Sequence, residues 1–109
     1  MKPGLNILLT EDEAIIAMDL EWRLKQAGAG RCRIVATGES ALAWFEKEPP
    51  DVVVLDNHLA GVMDGIEAAA RIRAEGSGVP IIFMSGYPQD EAFLARVRPL
   101  HPLACLDKP

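Results

Sequence analysis

The chain has 109 residues, half of them hydrophobic and a quarter charged, with a formal net charge of −5. That describes one soluble-type domain over residues 1–109, able to bury roughly two-thirds of the surface its unfolded chain exposes. The eleven basic residues form no run, which argues against direct nucleic-acid binding by this domain. No apolar stretch reaches the roughly 18 residues of a spanning helix, so no membrane association is expected.

Taken in chain order, the lead-in Met1-Lys2-Pro3-Gly4 is too short for a secretory signal, which makes a cytoplasmic address the default. A first strand is predicted over Leu5–Thr10, closed by the acidic pair Glu11-Asp12. A helix follows from about Ala14 to Ala27, with Ile16, Leu20 and Leu24 at four-residue spacing and Gly28 as its stop. Arg31–Ala36 reads as a second strand, and Thr37 can cap a helix from Gly38 to Lys47 that Pro49-Pro50 ends. Asp51 opens the third strand, Val52–Leu55, whose last neighbour is Asp56. Asp64, with Glu67 three positions on, opens a third helix that ends before Gly76-Ser77-Gly78. A fourth strand, Pro80–Met84, runs into Ser85 and Gly86, where glycine gives the backbone freedom. A weaker helix spans about Gln89 to Val97. His101 reads as a turn between Pro99 and Pro102, and Leu103–Leu106 is the last strand before Lys108-Pro109. Trp22 and Trp44 fall in helices and are expected to pack.

Strands alternating with helices mean an α/β fold, a parallel sheet with right-handed crossovers. The unbroken aliphatic runs fit strands buried on both faces, and such sheets bind ligands beyond the strands' carboxyl ends. Glu11, Asp12 and Asp56 stand there. Three acids at one spot repel, and a hard cation with oxygen ligands relieves the repulsion, so Mg²⁺ is the expected cofactor.

An acidic pair after the first strand, an aspartate after the third, Ser85 after the fourth and Lys108-Pro109 after the fifth together resemble the receiver domain of two-component response regulators. The segment Met63-Asp64-Gly65-Ile66-Glu67-Ala68-Ala69 is also similar to that family's usual text. The resemblance implies a flavodoxin-like, doubly wound sheet of five parallel strands in order 2-1-3-4-5, with helices on both faces. It implies that Asp56 accepts a phosphoryl group from a sensor histidine kinase or phosphotransfer protein. In this reading Asp12 binds Mg²⁺ directly, Glu11 acts through water, and Asp56 with the His58 backbone carbonyl completes the protein ligands. Lys108 pairs with phosphoryl oxygens, and the Ser85 hydroxyl donates to one once it is present, which makes the switch. Side chains at the positions of His58 and Tyr87 flank the phosphoryl group in the family and tune its loss to water. The output would pass to a downstream protein or a fused effector domain, and enzymatic activity would be limited to self-phosphorylation and autodephosphorylation.

Some positions depart from the family's commonest pattern. The Leu59-Ala60-Gly61-Val62 loop holds one extra residue, and Cys105 stands where many members carry a Tyr or Phe that relays the switch. Phe83-Met84-Ser85-Gly86-Tyr87 resembles a subgroup, often stand-alone, whose fourth strand ends Phe-x-Thr/Ser-Gly-Tyr. A closing helix normally follows the fifth strand and is missing here; either the natural chain continues or a neighbouring chain covers the patch. Cys32 and Cys105 fall in strands at opposite sheet edges, about 19 Å apart at ~4.8 Å per step, so both are expected as free, buried thiols. Simpler readings exist: Asp12 as a helix cap, Glu13 as a solvated first-turn acid, Ser85 as a turn hydroxyl, Lys108 as a surface charge. Two rival functions are a Mg²⁺-dependent phosphohydrolase working through an aspartyl-phosphate and a receiver-like binding module that signals without phosphate.

Overall fold

The computed structural model describes residues 4–59, 61–86 and 90–107. Five strands, β1 (Asn6–Thr10), β2 (Arg31–Val35), β3 (Val52–Asp56), β4 (Ile81–Ser85) and β5 (Ala104–Asp107), alternate with four helices. These are α1 (Ala14–Gln26), α2 (Gly38–Lys47), α3 (Gly65–Ala74) and α4 (Glu91–Val97), the last running into a 3₁₀ turn over Arg98–Leu100. All strand pairs are parallel, in the order β2-β1-β3-β4-β5. This is the expected order, and the switch of direction beside β1 puts the ends of β1 and β3 next to each other.

Local chemistry explains the element boundaries. Thr37 Oγ1 accepts from the Ser40 N–H at 3.0 Å, Asp64 Oδ1 from the Glu67 N–H at 2.7 Å and Asp90 Oδ1 from the Ala92 N–H at 3.0 Å. Each cap satisfies a donor that the first turn leaves over. The expected start of the fourth helix, Gln89, lies outside the described residues; within them that helix begins at Glu91. Asp12 does not cap α1, whose N-cap position is the exposed Glu13. Asp51 ties the amino ends of β1 and β3 together, donating its N–H to the Asn6 carbonyl and accepting the Asn6 N–H on Oδ2, both at 2.8 Å.

The two-residue period of the strands sorts their side chains onto two faces. Leu8, Val53, Leu55, Ile81 and Phe83 meet α2, α3 and α4, where Ile66, Ala68, Ala69, Ile72, Phe93 and Val97 complete the main core. Phe83 and Phe93 pack edge-to-face there at 6.1 Å. Ile7, Leu9, Val54 and Met84 face the other way, toward Leu20 and Leu24 of α1.

Trp44 packs as expected against Leu8, Val35 and Ala41, whereas the expectations for Trp22, the two cysteines and Gly86 need correction. Trp22 is 63% exposed, because it sits on the side of α1 turned away from the sheet. Trp44 is partly buried and carries the Arg33 guanidinium 3.8 Å from its ring centroid. Cys32 and Cys105 are free thiols as expected, in β2 and β5 at opposite edges, but each is only half-buried, since edge strands are covered less than central ones. Gly86 adopts no left-handed backbone and has open space where a Cβ would stand, so its geometry does not demand glycine.

Candidate functional site

Adjacent parallel strands end together, so their following residues gather at one rim. The register pairs Thr10 with Leu55 and Asp56 with Met84, which places Glu11 just past β1, Asp56 at the end of β3 and Ser85 at the end of β4. The Glu11 N–H donates to the Val35 carbonyl at 3.0 Å, and the Asn57 N–H donates to the Met84 carbonyl at 2.9 Å, holding both exits in ladder geometry. Glu11, Asp56 and Ser85 are buried to 2%, 1% and 3% exposure, whereas Asp12 opens to solvent.

Carboxylate oxygens of Glu11, Asp12 and Asp56 lie within 4.8 Å of one another. The three acids meet only because the fold brings β1 and β3 side by side. Backbone donors orient the buried pair: Glu11 Oε2 accepts from the Glu13 N–H at 3.0 Å, and Asp56 Oδ1 accepts from the His58 N–H at 3.1 Å. Three hard oxygen donors, two of them withheld from bulk water and one open to it, are a donor set that suits Mg²⁺. The open side leaves room for the waters that this ion keeps.

Ser85 and His58 line one side of the rim together with Asn57, Ile66, Phe93 and Arg96, around a cavity of about 170 Å³. The His58 side chain is exposed. Lys108 and Tyr87, both expected at the site, lie outside the described residues.

Further residues shape this rim and were not anticipated. Glu39, in the first turn of α2, accepts the Met63 N–H on Oε1 at 2.9 Å. Its other carboxylate oxygen would stand 2.8 Å from a Cβ at Gly61, whose φ of +92° already favours glycine. The chain after Asp56 is therefore tied to α2 at Met63. Gly65 opens α3 directly against the Asp56 carbonyl, and a Cβ there would overlap that oxygen. Asp64 also pairs with Arg96 of α4 through Oδ2 at 3.3 Å. The Asp64-Gly65 text signals the close approach of α3, but no sequence periodicity points from Glu39 to Met63.

Comparison with known proteins decides the family: the response regulator receiver domain pattern matches residues 7–109. The chain belongs to this family. The receiver is 32% identical over 104 residues to the transcriptional regulatory protein PdtaR of Mycobacterium tuberculosis, covering 95% of the receiver and 49% of that relative. It is 38% identical over 80 residues to the sensory transduction protein RegX3 of Mycolicibacterium smegmatis, covering 73% of the receiver and 34% of RegX3. The receiver thus spans half or less of the length of these curated relatives. Among solved structures, the signal receiver domain of a modulated diguanylate cyclase from Desulfovibrio desulfuricans superposes with a TM-score of 0.85 at 32% identity, over 97% of the receiver and 82% of that chain. The receiver is therefore a domain of two-component response regulators, and among its described residues no helix is long and apolar enough to cross a membrane.

Proposed function

We propose that this receiver is a phosphorylation switch in which Asp56 is the acceptor. The observation that carries the reading is the meeting of Glu11, Asp12 and Asp56 within 4.8 Å at the carboxyl rim. A carboxylate is already ionised, so it attacks phosphorus without a general base; what it needs is alignment and relief of negative charge. The strand end and the His58 N–H fix the direction of Asp56. An Asp56 oxygen bonds to phosphorus as the P–N bond of a partner's phosphohistidine breaks, and the imidazole leaves with the electron pair and takes up a proton. Bound Mg²⁺ would neutralise charge shared by the carboxylates and the phosphoryl oxygens. Asp12, Asp56 and the His58 carbonyl would hold it directly and Glu11 through water.

Lys108 supplies a point charge to the phosphoryl group, and the Ser85 hydroxyl donates to one of its oxygens. That last bond exists only after transfer, so it biases the rim toward a second arrangement. His58 and Tyr87 govern access of water, and hence how long the phosphoryl group lasts. The phosphodonor is a sensor histidine kinase or phosphotransfer protein in the cytoplasm, and the response passes to a downstream protein or fused effector. Chemistry is confined to the domain's own aspartate.

Intact-mass measurement after incubation with Mg²⁺ and a small acyl phosphate tests the reading. One acid-stable, base-labile phosphoryl group is expected on the wild type and none on Asp56→Ala. An undiminished adduct on Asp56→Ala defeats the proposal, as does steady turnover of a generic phosphate ester that requires Asp56. With beryllofluoride, Ser85→Ala is expected to blunt the conformational response while Mg²⁺ affinity stays nearly unchanged.

A further inference from the structure

The chain leaves β3 at Asp56 and re-enters the core at Met63. Where it leaves, the sheet fixes it: the Asn57 N–H donates to the Met84 carbonyl at 2.9 Å, and the His58 N–H to Asp56 Oδ1 at 3.1 Å. Where it re-enters, α2 fixes it. Glu39 Oε1 accepts the Met63 N–H at 2.9 Å, across 24 positions of sequence. The neighbouring Gly38 lies so close that a Cβ there would stand 3.1 Å from both the Met63 carbonyl oxygen and its Cγ. Met63 itself is 7% exposed, in the core that Leu55 and Ile66 share.

Two consecutive residues thus shape the start of α2 to Met63, each in its own way. Gly38 permits the close approach, because a missing Cβ leaves room for the Met63 backbone and side chain. Glu39 supplies an acceptor for an N–H that lies outside both β3 and α3 and would otherwise lack one. Its second oxygen borders Gly61, where a Cβ would meet Oε2 at 2.8 Å and where the φ of +92° independently favours glycine. An exposed glutamate in a first turn is commonplace, since the helix dipole alone favours it there. Glu39 does more than that. Its carboxylate meets positions 61 and 63 of one short segment, and the same segment carries His58, whose carbonyl is assigned to Mg²⁺ in the function proposed above.

We propose that Glu39 is a positioning residue for the cation site: by holding Met63 from α2 it sets the path of the chain after Asp56, and with it the aim of the His58 carbonyl. The inference rests on the phosphoacceptor reading and adds to it a residue that never touches the ion. Mg²⁺ demands near-ideal octahedral geometry at about 2.1 Å, so a small displacement of one carbonyl lowers affinity. Groups that orient a ligand from behind matter to affinity nearly as much as the ligands do. Without the Glu39 carboxylate the Met63 N–H turns to water, and the segment relaxes away from the rim. The Asn57 and His58 bonds remain, so Asp56 keeps its direction while the carbonyl loses its own.

Calorimetric titration of the 109-residue chain with Mg²⁺ alone reads the effect, and amide hydrogen exchange at Met63 reads the tie itself. Glu39→Ala is expected to weaken Mg²⁺ binding about tenfold and to speed Met63 exchange while circular dichroism stays native. Glu39→Gln keeps a carbonyl oxygen that can accept the Met63 N–H, so it should bind Mg²⁺ within about twofold of the wild type. Glu46→Ala removes the same charge from an exposed position roughly two turns farther along α2, and should change neither reading. A purely structural tie would lower stability in urea and leave Mg²⁺ affinity alone. Unchanged affinity in Glu39→Ala, equal weakening in Glu39→Gln, or equal weakening in Glu46→Ala overturns the inference and leaves Asp56 as the acceptor. A wild type that takes up no Mg²⁺ overturns it together with the reading on which it rests.

Discussion

The two rims of the sheet treat acidic residues in opposite ways. At the amino rim two acids have partners of their own. Asp51 takes the Asn6 N–H at 2.8 Å, and Glu48 meets Arg31 at 2.9 Å and Arg33 at 3.6 Å. At the carboxyl rim, Glu11, Asp12 and Asp56 are crowded together, two of them buried. Paired acids contribute modestly to stability and can be removed at modest cost. Collected acids of one sign cost stability in the free protein, and that cost is what a cation or a phosphoryl-bearing partner can relieve. The proposed switch lies at the rim where acids of one sign are gathered.

The sharpest way to break the carboxyl rim leaves its charges alone. Gly65→Ala drives a Cβ into the Asp56 carbonyl, and backbone cannot yield as a side-chain tip does, so a loss of about 3 kcal/mol is expected in urea unfolding. Val52→Ala, in the partly buried first residue of β3, should cost less. Next comes Asp56→Asn. With one negative charge gone and the His58 N–H still accepted, the free protein is expected to be no less stable than the wild type. The thermal shift that Mg²⁺ produces in the wild type should shrink at the same time. A variant that is less stable and still responds fully to Mg²⁺ contradicts the crowding argument.

At the amino rim the expected outcome is the reverse. Asp51→Ala removes one exposed backbone–side-chain bond and should cost about 1 kcal/mol, with the Mg²⁺ response unchanged. The smallest effect concerns pH. Burial, with Glu21 adding and Lys25 opposing, pushes the Cys32 thiol from 9.0 up to about 11. A raised thiol pKa means that the unfolded chain deprotonates first, so this contribution is complete below pH 9 and is lost as pH rises toward 11. Cys32→Ala should flatten the stability profile over that window, and maleimide labelling of Cys32 in the folded protein should be slow at pH 8.

How far the sequence could be read follows from the range of each interaction. The aliphatic runs, the caps at Thr37 and Asp64 and the stops at Gly28 and Pro49-Pro50 act within a few residues, so element order was legible and boundaries fell within one or two positions. The acids were legible because each directly follows or ends an aliphatic run. The Glu39 clamp on Met63, 24 positions away, and the Asp64–Arg96 pair, 32 positions apart, leave no local pattern and were not anticipated. Trp22 was misread as a packing residue because a helical wheel tells which residues share a face, not which face the sheet occupies.

By itself, then, the sequence determined the alternation of strands and helices, the place of each acid at a strand end and the family resemblance. Those depend on hydrophobic period and capping, which act along the chain. Tertiary structure alone decided that three carboxylates come within 4.8 Å, that Glu39 ties the chain after Asp56 to α2 at Met63, and that α1 keeps one apolar side in water. Distances between strands and the coverage of a sheet face are set by how elements pack across the molecule, and no local sequence pattern records that.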